Sequence, residues 1–396
     1  MRTVILNRFD DYPIHQTSEP LSYLATSELN AYGRYWFNGY DPDGEFYFGI
    51  ALGVYPHRQV MDCALSIVRK DGTQDSFRAS KHMRDPRERL DLRVGPMRID
   101  IVEPMRKFHV TIDTNKTGFV ADLTFRATTP AHGESMEQMR IGTRTVYQST
   151  RLAQFGNWSG FLKVGNRSQP VDPTRIHGVR DRSWGYRPLG EPFRPVNETS
   201  SQHTANASAA GGSQAAALNQ FFFLWAPLTF PDLCTHCSTM EYADGTRWKN
   251  HADVFPRFAP DSTFDPLSIE GFGQVEAGEH RLQFVKGTRQ ICSAELDMVI
   301  DGKKSVIKME TLLRFHQSGI GYLHPTWGHG VYKGAEEYTS EHFNVNEIDK
   351  NSYVYAHVQN VVRATMGERV GHGVLEQMLF GPHHRYGLQG FTDPPA

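Results

Sequence analysis

Eleven consecutive residues combine an acid, two guanidiniums, a histidine, a hydroxyl and two aromatics: Ile176-His177-Gly178-Val179-Arg180-Asp181-Arg182-Ser183-Trp184-Gly185-Tyr186. Polar groups this dense are costly to bury unless they pair with each other or with a ligand. In an extended chain His177, Val179, Asp181 and Ser183 share one face, and Arg180, Arg182 and Trp184 share the other. The types of a Ser-His-Asp set are present, but on one strand. Neither a nucleophile elbow nor a separate oxyanion loop accompanies them, so serine hydrolysis is set aside. Proton transfer suits Asp181 better, because a carboxyl in apolar surroundings keeps its proton and acts as a general acid near neutral pH. Arg180 and Arg182 oppose this, since nearby cations favour the carboxylate. Should either reach Asp181, the alternative is a structural Arg–carboxylate pair. Both readings stay open in the sequence.

A second polar cluster runs from Tyr322 to Gly330 and includes His324, Trp327 and His329. Five positions separate the two histidines, the wrong parity for one strand face. No His-Glu-x-x-His or similar ligand spacing occurs, so no metal site is expected. Cys234-Thr-His-Cys237 is one CxxC without a second pair. On a strand its cysteines point to opposite faces, which suits reduced packing residues. Neither a phosphate loop nor a Gly-x-Gly-x-x-Gly fingerprint is visible, so chemistry without a cofactor is expected.

The elements that must hold these residues are strands. Period-2 alternation covers 98–103, 108–113, 119–126 and 294–300. Asp43-Gly44, Asp71-Gly72, Asp244-Gly245 and Asp301-Gly302 separate apolar runs, which is a strong hairpin signal. Long amphipathic helical patterns are missing, so an antiparallel, mostly β protein of sandwiches or barrels is expected. Aromatic clusters at 35–37, 46–48 and 221–225 suit sheet cores, and some could line an apolar cavity. The stretch 197–214 has no large apolar residue and reads as a flexible loop. At 396 residues, two domains are expected. A net charge of -2 gives no basic stripe for nucleic acid and no attraction to an anionic membrane. With no run near 20 apolar residues and no signal peptide, a cytoplasmic protein without membrane insertion is expected. The sequence sets no oligomeric state.

Gly178-Val-Arg180-Asp181-Arg182-Ser183-Trp184-Gly185 resembles the central motif of the hydroxyneurosporene synthase (carotenoid 1,2-hydratase)-like and AttH-like proteins. Flanking pieces at 46–53, 122–126 and Gly156-Asn-Trp158-Ser-Gly160 are similar to the same group. The resemblance implies two lipocalin-like β domains, placed here at 1–175 and 176–396, around a hydrophobic cavity. It implies a hydratase, dehydratase or isomerase of an isoprenoid, steroid or aromatic molecule. Asp181 would be the acid, with His177 or Arg180 positioning it. Trp184 and Tyr186 would face a carbocation, which needs a bend near Gly185 because parity turns both away from Asp181. Trp158, Trp225, His324 and Trp327 complete the expected ligand contacts. A non-catalytic carrier of a hydrophobic ligand is the alternative function.

Overall fold

The computed structural model describes residues 6–14, 18–20, 22–85, 89–141, 143–187, 220–273, 275–350 and 352–395. The expected flexible stretch at 197–214 lies outside them. Within the described residues, the regular elements are strands and short 3-10 turns. The first twelve strands are β1 (Ala31–Tyr40), β2 (Phe46–Tyr55), β3 (Val60–Arg69), β4 (Thr73–His82), β5 (Arg93–Val94), β6 (Met97–Glu103), β7 (Lys107–Ile112), β8 (Phe119–Ala127), β9 (His132–Ile141), β10 (Arg144–Val164), β11 (Arg167–Val171) and β12 (His177–Tyr186). Nine more follow: β13 (Phe221–Thr229), β14 (Leu233–Glu241), β15 (Arg247–Pro256), β16 (Val275–Phe284), β17 (Ile291–Ile300), β18 (Lys303–His316), β19 (Glu336–Asn344), β20 (His357–Met366) and β21 (Arg369–Phe380). All four Asp-Gly pairs fall between paired antiparallel strands. Asp301 and Gly302 both take positive φ, 49° and 77°, as a two-residue hairpin turn requires.

Two antiparallel sheets result. The first has 13 strands in the order β19-β4-β3-β2-β1-β12-β10-β8-β7-β6-β5, with β9 and β11 also on β10. The second has 8, in the order β15-β14-β13-β21-β20-β18-β17-β16. Each is curled nearly shut. In the first, Gly95 N, beside β5, donates to Glu336 Oε1 of β19 at 3.0 Å. In the second, Asn250 Nδ2 of β15 donates to Ala277 O of β16 at 3.1 Å. Phe37, Phe48, Phe108, Phe125 and Trp158 fill the first barrel. Leu224, Leu228, Met298 and Val362 fill the second. A third apolar layer lies between the sheets, where Trp36, Tyr47, Phe155 and Val179 meet Trp225, Phe255, Phe315 and Val361.

β12 sits in the first sheet between β1 and β10. A domain boundary at 175/176 would put it on the C-terminal side, apart from the strands it pairs with. The chain changes sheets after Tyr186, and β19 later returns to the edge of the first sheet. No helix among the described residues is long and apolar enough to cross a membrane.

Directly opposed residues of antiparallel strands project to the same face. The register therefore writes out the face that the first sheet turns to the second. One row reads His132, Ala153, Asp181, Trp36, Ala51, Ala64 across β9, β10, β12, β1, β2 and β3. Two residues along, the next row reads Glu134, Arg151, Ser183, Arg34, Gly53, Asp62. Three alanines thus flank Asp181 and Trp36 in one row, and a charged row runs beside it.

Candidate functional site

Asp181 lies deep between the sheets, yet 15% of its side chain stays accessible, so it borders open space. Its Oδ2 is 2.9 Å from Arg151 Nε. The angle is poor, and Arg151 Nε makes no hydrogen bond. Burial pushes the Asp181 carboxyl up to about 6, while Arg151 pulls it down and Glu134 pushes it up again. Neither neighbouring arginine of the motif reaches it. Arg180 Nη1 pairs with Asp11 Oδ1 at 2.6 Å on the opposite face, over the ring of Phe108. Arg182 donates to the carbonyls of Ser183, Arg34 and Tyr12. The partner that matters comes instead from β10.

Beyond Arg151 a buried polar chain crosses to the second sheet. Arg151 Nη1 is 3.6 Å from Glu134 Oε2, and Lys249 Nζ bonds Glu134 at 2.9 Å and also Glu137. Burial alone would push Glu134 up; Lys249 and Arg151 override it and hold the carboxyl well below its usual range. His236 Nε2 faces Glu134 Oε1 at 3.8 Å, and His236 Nδ1 lies 3.2 Å from His132 Nε2. Asp253 joins them, bonded by His251 Nε2 at 2.6 Å. Burial holds His132 below its ordinary value and His236 well below, so both rings are neutral near pH 7. The donor atoms of His132, His236 and Asp253 lie within 4.8 Å of one another, a set that could hold a metal ion.

The apolar wall beside Asp181 is built by Trp36, its cross-strand neighbour, and by Trp225. The two indoles meet edge to face with centroids 5.6 Å apart. Trp225 Nε1 is buried without a hydrogen-bond partner. So are Ser238 Oγ, Arg34 Nε and Nη2, and Arg187 Nε and Nη2. Buried polar atoms are rarely left unpaired, so this layer has hydrogen bonds to offer a bound molecule.

Of the residues expected from the sequence, Asp181 and Trp225 come together in this layer. The others do not. His177 shares the face of Asp181 but lies four positions along the strand, about 13 Å away. It contacts Tyr40 and Asn157, and burial depresses it to about 4. Gly185 has φ +137°, but the pairing of β12 with β10 runs through it without a shift. Parity therefore holds, and Trp184 and Tyr186 stay on the far face, in a separate cleft of about 470 Å³ with Arg182 and Gln148. Trp158 is sealed inside the first barrel, its Nε1 donating to Asn38 O at 2.7 Å. His324 accepts from the backbone of Thr326 and Trp327 through Nδ1 and turns Nε2 to Glu341, while Trp327 lies under Lys333.

Sequence reasoning missed Arg151, Glu134, His132, His236, Lys249, His251 and Asp253. A signal existed. Lys249, His251 and Asp253 alternate at strand period, as do His132 and Glu134. Each marks a polar stripe on a strand face, and such a stripe carries no information about whether it faces water or another sheet. Cys234 and Cys237 do part as parity requires, one to the inter-sheet layer and one into the second barrel. The histidine between them enters the site.

The chain belongs to DUF8625, a family of unknown function, whose model matches residues 6–389. No curated protein matches its sequence. Among solved structures, an AttH-assigned protein from Nitrosomonas europaea is similar at 13% identity, covering 92% of this chain and 98% of that one, with a TM-score of 0.50. Kievitone hydratase from Nectria haematococca is similar at 14% identity, covering 93% and 94%, with a TM-score of 0.47. The first likeness shows a shared fold, in keeping with the two-barrel expectation.

Proposed function

We propose that this protein binds an apolar small molecule between its sheets and hydrates, dehydrates or isomerises it, with Asp181 moving the proton. The observation that carries this reading is one carboxyl, pushed up to about 6 by burial, beside open space and a wall of Trp36 and Trp225. At pH 7 about a tenth of such a carboxyl is neutral, enough for a general acid. In the hydration direction neutral Asp181 gives its proton to an alkene carbon, and the neighbouring carbon becomes a cation. Indole faces stabilise such a cation. Water adds its oxygen to the cation and returns a proton to the Asp181 carboxylate, so the protein ends as it began. Dehydration is the reverse. Arg151 lowers the cost of the carboxylate formed midway without neutralising the acid beforehand. The kievitone hydratase likeness is compatible with this chemistry, and the reading rests on the site rather than on it.

The test incubates wild type and Asp181→Asn with isoprenoid, steroid and aromatic alkenes or alcohols in heavy-oxygen water. Label incorporation by wild type, lost in a variant that still folds and binds, is the expected result. Tight binding without turnover by either protein would make it a carrier and sink the catalytic role.

A further inference from the structure

Three side chains from three strands converge where the two sheets meet: His132 of β9, His236 of β14 and Asp253 of β15. His236 and Asp253 are direct cross-strand neighbours in the second sheet. His132 reaches them from the first. His132 Nε2 is 3.2 Å from His236 Nδ1 and 3.9 Å from Asp253 Oδ2. Four-coordinate zinc with bonds near 2.0–2.1 Å spaces its donors about 3.3 Å apart. The first spacing fits as it stands, the second closes with a shift of about half an ångström, and the third, between His236 and Asp253, lies within 4.8 Å.

The surroundings of the three also point to a ligand. His132 Nδ1, His236 Nε2 and Glu134 Oε1 are buried and without hydrogen-bond partners. Their residues are 4%, 0% and 1% exposed. Consider the two neutral rings without an ion. If His132 Nε2–H donates to His236 Nδ1, His236 Nε2–H faces Glu134 and His132 Nδ1 is left without a partner, as it also is when an ion takes Nε2. If His236 Nδ1–H donates instead, the lone pair of His236 Nε2 faces the Glu134 carboxylate, 3.8 Å off, and is repelled. A cation between His132 Nε2 and His236 Nδ1 uses both facing lone pairs and fixes the proton on His236 Nε2. That N–H then points at Glu134, the carboxylate–histidine–metal arrangement that orients ligands in metal sites. His251 Nε2 bonds the same Asp253 oxygen, Oδ2, at 2.6 Å, which fixes the orientation of that carboxylate.

We propose that His132, His236 and Asp253 form a binding site for a divalent transition-metal ion, with Glu134 and His251 orienting the ligands. Two imidazoles and a carboxylate suit zinc and leave a fourth position for water. The ligands come from both sheets, so the ion also staples them. Local spacing in the sequence could not show this set, since His132 and His236 are 104 residues apart. The site stands independently of the role assigned to Asp181.

Tag-free, chelator-stripped protein is titrated with zinc and, separately, with cobalt. Bound metal is measured after dialysis, and the cobalt form is read by its visible absorption. One equivalent bound, tetrahedral-type cobalt bands and a zinc-dependent rise in melting temperature are expected. His236→Ala and Asp253→Asn lose the equivalent, and Glu134→Gln, which keeps all three ligands, weakens binding tenfold or more. A wild type that retains under a tenth of an equivalent of both ions overturns the proposal. Equal binding by wild type and a folded His236→Ala or Asp253→Asn variant overturns it too. The wild-type stoichiometry decides even where a variant fails to fold.

Discussion

Replacing Asp181 by Asn separates the two roles open to this carboxyl, and the readout is stability against pH. Burial raises Asp181 to about 6, from an ordinary 3.8. The folded state therefore holds this proton more tightly than the unfolded chain. Its favourable contribution is complete below 3.8 and is lost as pH rises through about 6. Two pKa units correspond to about 3 kcal/mol. Asp181→Asn removes this slope while keeping shape and volume. With an unfolding entropy of about 2.1 cal/mol/K per residue, that energy is worth about 4 °C for a chain of this length unfolding as one unit. A little of the contribution is already lost at pH 4, so the variant should gain on wild type by about 3 °C between pH 4 and pH 8. Differential scanning calorimetry or fluorescence across that range measures it. A difference that stays flat, or that turns against the variant as pH rises, refutes the reasoning. Asp181 would then be a permanently ionised partner of Arg151.

Two further predictions concern the same strand. Arg180→Met leaves Asp11 charged in a fully buried place, and urea denaturation should show a loss of about 3–5 kcal/mol. Adding Asn at position 11 should restore part of it; a loss below about 1 kcal/mol would mean the pair is dispensable. At Gly185 a Cβ would stand 2.1 Å from Gln148 O, on a backbone with φ +137°. Gly185→Ala should therefore cost at least about 2 kcal/mol by the same measurement, and an unchanged midpoint would contradict the strain argued for this position.

Much of the fold could be read from the chain because its signals are local. The Asp-Gly turns need positive φ, and strand alternation needs only a period of two. Both predicted hairpins and half-buried strands that the structure contains. Parity within β12 was equally legible: Asp181 does face away from Arg180, Arg182 and Trp184. It also told against Trp184 and Tyr186 as partners of Asp181, and a bend at Gly185 does not rescue them because the ladder carries on through it. The partners of Asp181 were not legible. Arg151 neighbours it only through the pairing of β10 with β12, and Trp225 only through the packing of one sheet on the other.

By itself the sequence determined the strands, the turns and which side chains share a face, because each depends on backbone geometry over a few residues. It also singled out Asp181 as the acid of its motif. Tertiary structure decided what that acid meets. Sheet register set Arg151 beside it in place of Arg180 and Arg182, and burial between two sheets set its affinity for a proton. The same packing drew His132, His236 and Asp253 into one place from distant parts of the chain. Burial and long-range register are properties of the assembled sheets, and no local pattern of residues encodes them.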